Sequence, residues 1–582
     1  MKFSILYLAV FCLLISSCKK DFLDRKPLAS ISPEAFFRTE SDLKLYTNSF
    51  YYAFPSAEGI YNEAVDNIVK TDLGELITGK RTVPISDGGW KWTELRNINY
   101  FLENYDKNMS AAAGKKYAGI ARFFRAYFYF DKVSRFGDVP WYTKTINITD
   151  EGKLAMPRSP RVQVMDSVMA DLDFAIANMD ATKNVEQVTK WTALALKSRI
   201  CLFEGTFRKY HPEFSLPGAD IFLRAAAEAA NTLMTSGPYS IYKSSPEKAY
   251  QELFASKAAI DQEIILGRRF SAGLQVWHNL NYYTLTASYG RPGLNKNLVN
   301  TYLMKDGSRF TDKAGYDKMQ FFEEVQNRDP RLSQTVRTPG YTRIGNTKQL
   351  APEFSASISG YQLIKFVTGE ANDSNNKSDN DMPIFRMAEV LLNYAEAKAE
   401  LGEATQADID RSIKLIRDRV GMPNLDLAFA NSHPDPYLAA QYVQVNSGNK
   451  GLILEIRRER RIELVMESFR WNDLIRWKEG HLNAAPYKGM YFPGAGKYDL
   501  DNDGKTDVEI YTGTKPTGSG IQFLKLGSEI ILENNTNGGN VLINPNTPKT
   551  FREDRDYLFP LPIQELLLNE NLQQNPNWEG RN

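Results

Sequence analysis

The chain has 582 residues, in which 71 lysines and arginines nearly balance 70 aspartates and glutamates. This balance gives no electrostatic reason to expect nucleic acid or an acidic lipid surface as a partner. The length allows a large buried core, and 30 tyrosines, 32 phenylalanines and 8 tryptophans are more aromatics than an aliphatic core needs.

The first 17 residues have the features of an export signal. Lys2 gives a short positive start, and residues 3–15 form an apolar run shorter than the roughly 20 residues of a membrane-spanning helix. The run ends in ISSC, which is typical of a bacterial lipoprotein signal. We therefore expect residues 1–17 to be removed and Cys18 to be lipidated, which with more than one acyl chain would anchor the protein to a membrane. The alternative is an ordinary signal peptide that contains a cysteine.

Cysteine usage limits both cross-linking and nucleophilic chemistry. Removal of the signal leaves Cys201 as the one cysteine besides Cys18, which excludes an intramolecular disulfide. Cys201 follows Ile200 on an apolar predicted helix, so we expect a buried small side chain and not a nucleophile.

The first half of the mature chain is predicted to be helical. Apolar residues recur every three or four positions, and glycine or proline ends each run. The predicted helices cover residues 116–140, 161–179, 191–207 and 221–239. Helices of this length, joined by short polar turns, predict antiparallel pairs stacked as in tetratricopeptide repeats.

The second half alternates predicted helices with long irregular stretches. Helices are predicted within residues 382–402, 407–423 and 452–480. The irregular stretches are rich in Gly, Asn, Thr, Tyr and Pro and cover residues 270–300, 335–382 and 480–550. Loops this long inside one domain are usually functional or disordered. No linker divides the mature chain, so we expect residues 18–582 to form one domain.

Five motifs, in order along the chain, carry a family resemblance. They are Cys18 with the following DFLD, FRAYFYFDKVSRFGDVP at 124–140, FRMAEVLLNYAEAKAELG at 385–402, ERRIELVMESFRWNDLIRW at 459–477 and YLFPLPIQELLLNENLQQNPNW at 557–578. With these motifs the chain resembles the SusD/RagB family of outer-membrane lipoproteins of Bacteroidetes.

The resemblance implies a mostly α fold, with a tetratricopeptide-like scaffold and a large loop-rich ligand-binding face. It implies a lipid-anchored protein on the outer membrane, facing the cell exterior, that captures glycans without catalysis. It also implies a partner, a SusC-like TonB-dependent transporter that receives the glycan. Peptide capture on the same scaffold is one alternative, and a surface glycoside hydrolase is another.

A stripe of acidic residues raises the question of catalysis. Glu455, Glu459, Glu463 and Glu467 are spaced by four, so their like charges need neutralising partners. The possible cations include Arg458, Arg460, Arg386, Arg470 and Arg476. We expect a structural ion-pair network and not a catalytic pair of Glu459 and Glu467, because arginines lower carboxylate pKa values whereas a general acid needs a raised one. HExxH, GxSxG and phosphate-loop motifs are all absent from the sequence.

One acidic loop has the spacing of a calcium site. Asp499, Asp501, Asp503 and Asp507 follow the DxDxDG pattern, with Gly504 at the sharp turn. The glutamate usual at position 12 is replaced by Ile510. We expect a weak structural calcium site, with an ordinary acidic turn as the alternative.

Aromatic side chains in predicted loops are the candidate ligand contacts, since a sugar offers apolar CH faces as well as hydroxyls. The candidates are Trp90 between glycine and lysine, and a second group made of Trp277, Asn279, Asn281, Tyr282, Tyr283 and Tyr289. For each tryptophan the alternative is packing in the core. We expect that role for Trp92, Trp471 and Trp477.

Overall fold

The computed structural model describes residues 37–63, 65–107 and 110–579. The predicted signal and Cys18 lie outside the described residues. Within the described ranges, every helix is too short or too polar to cross a lipid bilayer.

Helices dominate the described chain, as predicted. In the first half they are α1 Glu40–Asn48, α2 Ala57–Tyr61, α3 Glu75–Thr78, α4 Thr93–Leu102, α5 Ala111–Phe136, α6 Glu151–Leu154, α7 Arg161–Asn178, α8 Lys190–Tyr210, α9 Ala219–Ser236, α10 Ala249–Ala255 and α11 Leu280–Leu285. In the second half they are α12 Lys296–Val299, α13 Phe321–Glu324, α14 Pro330–Ser333, α15 Met387–Glu400, α16 Gln406–Asp410, α17 Ile413–Arg419, α18 Leu427–Ser432, α19 Pro436–Gln441, α20 Lys450–Glu463, α21 Arg470–Arg476 and α22 Ile563–Leu568.

The long helices pack in neighbouring pairs. Helix α5 packs against α7, and α8 packs against α9, which in turn contacts α15. Small residues bring these helices close: a Cβ placed on Gly205 of α8 would lie 2.8 Å from Cγ of Leu223 on α9. Ser110 caps the start of helix α5, where its Oγ accepts the Ala113 N–H, and Gly137 with φ +74 caps the end. The predicted helix-pair scaffold is therefore confirmed.

Two predicted helices differ from the structure. The first five residues of the predicted 382–402 helix form a strand that pairs with residues 264–268, and the helix begins only at Met387. The predicted 407–423 helix is broken into α16 and α17, because the chain leaves helical geometry at Ser412, where ψ is −88°.

Short strands join the loop-rich parts of the chain. They are β1 Ile68–Val69, β2 Ile264–Arg268, β3 Gly293–Leu294, β4 Met382–Arg386, β5 Tyr487–Phe492, β6 Gly496–Tyr498, β7 Val508–Tyr511, β8 Gln522–Lys525 and β9 Gly539–Ile543. The pairs β1–β3, β2–β4 and β5–β9 are antiparallel, with Ile68 opposite Leu294 and Tyr487 opposite Ile543. Strand β7 pairs with β6 antiparallel and with β8 parallel.

The buried apolar side chains form two cores. The first is built mainly from the long helices α4, α5, α7, α8, α9 and α15. The second lies under the loop-rich parts, mainly residues 250–303, 321–367 and 487–543. Helix α20 contributes to both, with Ile453 and Ile456 in the first core and Ile462 in the second. The loop-rich face is therefore packed on a core of its own.

Candidate functional site

The predicted aromatic loop at residues 270–290 is more ordered than its sequence suggests. It contains α11 and two short 3₁₀ turns, so the expectation of an irregular segment is wrong for residues 280–285. His278 fixes the start of α11 through a two-way backbone pairing with Ser378, with N···O distances of 2.9 and 3.2 Å. The turn into the helix is therefore set by a segment 100 residues away, which periodicity cannot show.

Four of the predicted contact residues share one partly exposed surface. Trp277, Asn279, Tyr282 and Tyr289, called the aromatic surface below, are all half-buried. The Asn279 amide donates to the Tyr289 hydroxyl at 3.2 Å, and the Tyr282 and Tyr289 rings lie edge to face at 6.2 Å. The surface thus combines an indole and two phenols with an amide.

The other two predicted residues of this group support the surface from below. Asn281 is fully buried: its carbonyl oxygen accepts the Thr368 N–H at 3.0 Å and its amide donates to Asp373 at 3.0 Å. Tyr283 is also fully buried, packs 4.9 Å from the Tyr61 ring, and has a pKa raised well above its ordinary value by burial. In this geometry both side chains hold the backbone of α11 and are not open to a ligand.

Two residues of the irregular stretch 335–382, Asn376 and Lys377, complete the aromatic surface. Lys377 places Nζ 5.0 Å from the Trp277 ring centroid, and the Asn376 N–H donates to the Asn279 side chain. These contacts link residues about a hundred positions apart, so the sequence carries no local signal for them.

Trp90 lies in a different place. It is 5% exposed and packs edge to face against Phe136 at 4.9 Å and Trp92 at 5.3 Å. Its edge lines a cavity of about 770 Å³ between α4, residues 140–155 and α22. None of the aromatic-surface residues lines this cavity, so the structure does not bring the two predicted groups into one site. Trp92 packs against the first core and Trp477 is fully buried, as expected.

The predicted calcium loop connects β6 to β7. Carboxylate oxygens of Asp499, Asp501 and Asp507 lie within 4.8 Å of one another, whereas the Asp503 carboxylate is bound to Lys505 Nζ at 2.6 Å. Burial and the neighbouring carboxylates raise the pKa values of Asp501 and Asp507. Carboxylate oxygens are donors that Ca²⁺ prefers, so this cluster is compatible with the expected calcium site, which stays a prediction.

The acidic stripe lies at the centre of a buried ion-pair network. Glu463 contacts Arg331, Arg386 and Arg419, and Glu459 contacts Arg331 and Arg417. Five carboxylates and five cations form the centre of this network, namely Glu263, Asp329, Glu459, Glu463, Glu467, Arg331, Lys365, Arg386, Arg417 and Arg419. Glu455 joins it through Arg417 at 3.8 Å. Helix α20 ends at Glu463, so Glu467 enters the network from the turn that follows.

The pKa values agree with a structural role for these carboxylates. Burial alone would raise the pKa of Glu459, but Arg331 and Arg417 outweigh it and lower the pKa below its ordinary value. The pKa of Glu467 is lowered in the same way by Arg386 and Lys365. A general acid needs the opposite shift, so the expected ion-pair network is confirmed.

The predicted partners were partly right. Arg458 pairs with Glu455 at 3.3 Å and Arg386 with Glu467 at 2.7 Å. Arg460 instead binds Asp473, at 2.9 Å. Glu263, Asp329, Arg331 and Arg419 were not predicted, because they reach the network from distant segments.

Cys201 is buried, and burial raises the pKa of its thiol to about 12. A thiol with this pKa is neutral at physiological pH and is a poor nucleophile. The expected packing role is confirmed.

Sequence comparison assigns this helical, loop-rich chain to a known protein family. The sequence model of the SusD family matches residues 264–578, more than half of the chain. A second family model, described as starch-binding associating with outer membrane, matches residues 88–202. The chain belongs to the SusD family, and the resemblance seen in its motifs is confirmed.

Individual relatives agree with this assignment over nearly the whole chain. The SusD-like protein P38 of Formosa agariphila is 25% identical over 529 residues, which cover 84% of this chain and 93% of that protein. A SusD-like carbohydrate-binding protein from Bacteroides fragilis superposes with a TM-score of 0.68 at 21% identity, covering 92% of this chain and 100% of the other. A protein crystallised with a xylogluco-oligosaccharide superposes with a TM-score of 0.59 at 16% identity, covering 93% and 99%. The mostly helical SusD-like fold is thus confirmed.

Proposed function

We propose that this protein binds glycans at the cell surface and holds them on the aromatic surface. The observation that carries the proposal is the partly exposed grouping of Trp277, Tyr282 and Tyr289 with Asn279, whose amide donates to the Tyr289 hydroxyl. Aromatic rings cover the apolar CH faces of a sugar, while an amide and phenols exchange hydrogen bonds with its hydroxyls. The names of two structural neighbours, one carbohydrate-binding and one crystallised with an oligosaccharide, support the same ligand class.

The size of the aromatic surface suits reversible capture. Covering one exposed indole face removes on the order of 100 Å² from water, which contributes about 2.5 kcal/mol before ordering costs. Two or three such rings give a gross gain of about 5–7 kcal/mol, so the dissociation constant should lie in the micromolar to millimolar range. A protein that hands its ligand on needs this modest affinity.

The cellular setting is part of the proposal. Lipidation of Cys18 would hold the chain on the outer membrane with its ligand face outward, where it would pass glycans to a SusC-like TonB-dependent transporter without hydrolysing them. The description of a matching family as associated with the outer membrane supports this location. Co-purification of the lipidated chain with such a transporter from outer membranes tests the partnership.

The glycan proposal is tested by binding measurements on residues 19–582 against plant, microbial and host polysaccharides. We expect one polysaccharide class to bind and Trp277→Ala to weaken binding about 10-fold or more. Tyr52→Ala is the matched control, because Tyr52 is an 88% exposed tyrosine outside the aromatic surface and should leave affinity unchanged. Equal affinity of Trp277→Ala and the unmodified chain would place the ligand elsewhere.

A peptide mixture and a reducing-end assay separate the alternatives. Retention of peptides with no polysaccharide bound would favour peptide capture and would mean that the aromatic surface serves packing. Release of reducing ends from a bound polysaccharide would show a glycoside hydrolase.

We also propose that Asp499, Asp501 and Asp507 hold a structural Ca²⁺. The ion would fix the loop between β6 and β7, and its affinity would be weak because position 12 lacks a carboxylate.

A further inference from the structure

An arginine with a rare backbone conformation, Arg291, follows the aromatic surface in the sequence. Arg291 lies two residues after Tyr289 and has φ +52, a left-handed conformation that non-glycine residues seldom adopt. Hydrogen bonds fix the backbone on both sides: the Thr71 N–H donates to the Gly290 carbonyl at 2.8 Å and the Ile358 N–H to the Arg291 carbonyl at 2.9 Å. Such conformations persist where neighbouring structure imposes them, and they are frequent at binding sites.

The Arg291 guanidinium has few partners for its degree of burial. The side chain is half-buried, and its one described hydrogen bond runs from Nη1 to the Phe354 carbonyl at 3.3 Å. No carboxylate of the described residues lies within ion-pair distance of it, and burial lowers its pKa with no acidic neighbour to oppose the shift. The buried Arg386, in contrast, contacts three glutamates. A partly desolvated cation without a counter-charge is costly, and an anionic ligand would relieve that cost.

Arg291 faces a cleft that has room for a sugar. Two adjoining cavities of about 340 and 490 Å³ share Arg291, Phe354, Ser528 and Glu529. The half-exposed Phe523 lines the second cavity. Among the residues lining the two cavities, Glu529 is the one acid, and its carboxylate accepts the Lys525 N–H at 2.7 Å. The cleft therefore offers a ring, hydroxyls and a guanidinium with free N–H donors.

We infer that Arg291 forms a subsite for the acidic group of a saccharide, a uronate carboxylate or a sulfate ester. The planar guanidinium donates two parallel hydrogen bonds to either group, which a lysine does not match. Phe523 would cover a sugar face, and neighbouring units would extend toward Tyr289. The inference rests on the proposed glycan function and specifies the class of glycan that the same face takes.

Calorimetry with three sets of oligosaccharides of equal length tests the inference: oligogalacturonates, sulfated galactan oligosaccharides and neutral cello-oligosaccharides. We expect at least one acidic set to bind at least about 10-fold more tightly than the neutral set. The affinity for that set should fall when NaCl rises from 50 to 300 mM. Which acidic set binds distinguishes carboxylate from sulfate.

Arg291→Gln should remove the preference for acidic oligosaccharides by lowering their affinity about 10-fold. The affinity for neutral oligosaccharides and the melting temperature should stay nearly unchanged. Arg268→Gln is the matched control: Arg268 is also half-buried, donates to the single Pro55 carbonyl at 3.0 Å and has no carboxylate within ion-pair distance among the described residues. It should keep the preference. Arg291→Lys, which keeps the charge without the fork, should bind with intermediate affinity.

The outcomes separate the subsite from the general function. Binding of neutral oligosaccharides alone, or acidic binding that survives in Arg291→Gln, overturns the anion subsite and leaves glycan capture standing. Failure of all three sets and of the polysaccharide screen overturns both. If Arg291→Gln does not fold, Arg291→Lys and the salt dependence of the unmodified chain test the subsite instead. Binding of acidic oligosaccharides that does not change with salt would refute the subsite.

Discussion

Arg386 gives the sharpest test of whether the acidic stripe serves stability. Its guanidinium lies at the end of β4 and donates to Glu467 at 2.7 and 2.8 Å, to Glu463 at 2.7 Å and to Glu263 at 2.9 Å. Arg386→Ala would leave these buried carboxylates with one cation fewer. Removing one partner from a buried ion pair costs about 3–5 kcal/mol. With a urea m-value of about 3–4 kcal/mol/M for a chain this long, the unfolding midpoint should fall by about 1 M.

The loss of stability in Arg386→Ala should depend on pH and on the presence of Glu467. Because the pKa of Glu467 is lowered in the folded protein, its pairing contributes stability above the unfolded pKa, and this contribution is lost as pH falls through the folded pKa. In Arg386→Ala, Glu467 keeps its pair with Lys365 but loses the guanidinium, so its pKa should rise and the carboxylate should protonate more readily as the pH falls. The destabilisation should therefore be smaller near pH 5 than at pH 8. Adding Glu467→Gln to Arg386→Ala should recover at least about 1 kcal/mol.

Urea unfolding followed by circular dichroism measures both effects. Arg224→Ala is the control, because its pair with Glu403 is exposed and should contribute less than about 1 kcal/mol. A midpoint for Arg386→Ala within about 0.2 M of the unmodified chain, or strictly additive effects with Glu467→Gln, would refute the reasoning.

Three further predictions concern other titratable groups. Burial raises the pKa of Glu63 to about 7, so its stabilising protonated form is lost as pH rises through 7. Glu63→Gln should therefore be more stable than the unmodified chain at pH 8, by up to about 3 kcal/mol, and by less than about 1 kcal/mol at pH 5; equal urea midpoints at both pH values would contradict this. Calcium at about 10 times its dissociation constant should stabilise the chain by about 1.4 kcal/mol in thermal unfolding, and the effect should vanish in Asp507→Asn but persist in Asp503→Asn. The Cys201 thiol should react with a disulfide reagent only after denaturation, and rapid labelling of the native chain would show that it is accessible.

Local signals predicted most of the scaffold. Helices α5, α7, α8 and α9 follow from apolar spacing and from glycine or proline at their ends, because both act within a few residues. Strand β4 was missed since its five residues continue the apolar run of α15, and only pairing with β2, more than a hundred residues earlier, makes them extended. Residue spacing predicted the pair of Glu455 and Arg458 but not the distant Glu263 and Arg331.

The proposed ligand face could be located from the sequence as a region, but which of its side chains are exposed could not. Aromatic residues without helical periodicity indicated residues 277–289. Their exposure differs, however, because Asn281 and Tyr283 are buried, and Trp90 lines a separate cavity. Lys377 and Arg291 gave no signal, because a lysine in a polar loop and an arginine near a glycine are common in any sequence. Their meaning depends on which charges and rings surround them in three dimensions.

Buried polar groups would lower the ordering cost of the glycan binding that we propose for the loop-rich face. Asn281 fixes α11 to the loop at 368–373 through three different groups, and the Gly290 and Arg291 carbonyls are each fixed by a backbone N–H. Helix α20 ties the second core to the helical scaffold through the ion-pair network. A ligand therefore meets rings whose backbone is already positioned, so it loses less of its contact energy to ordering the protein. Weakening the network should accordingly lower glycan affinity through the loops, even though none of its charges belongs to the aromatic surface.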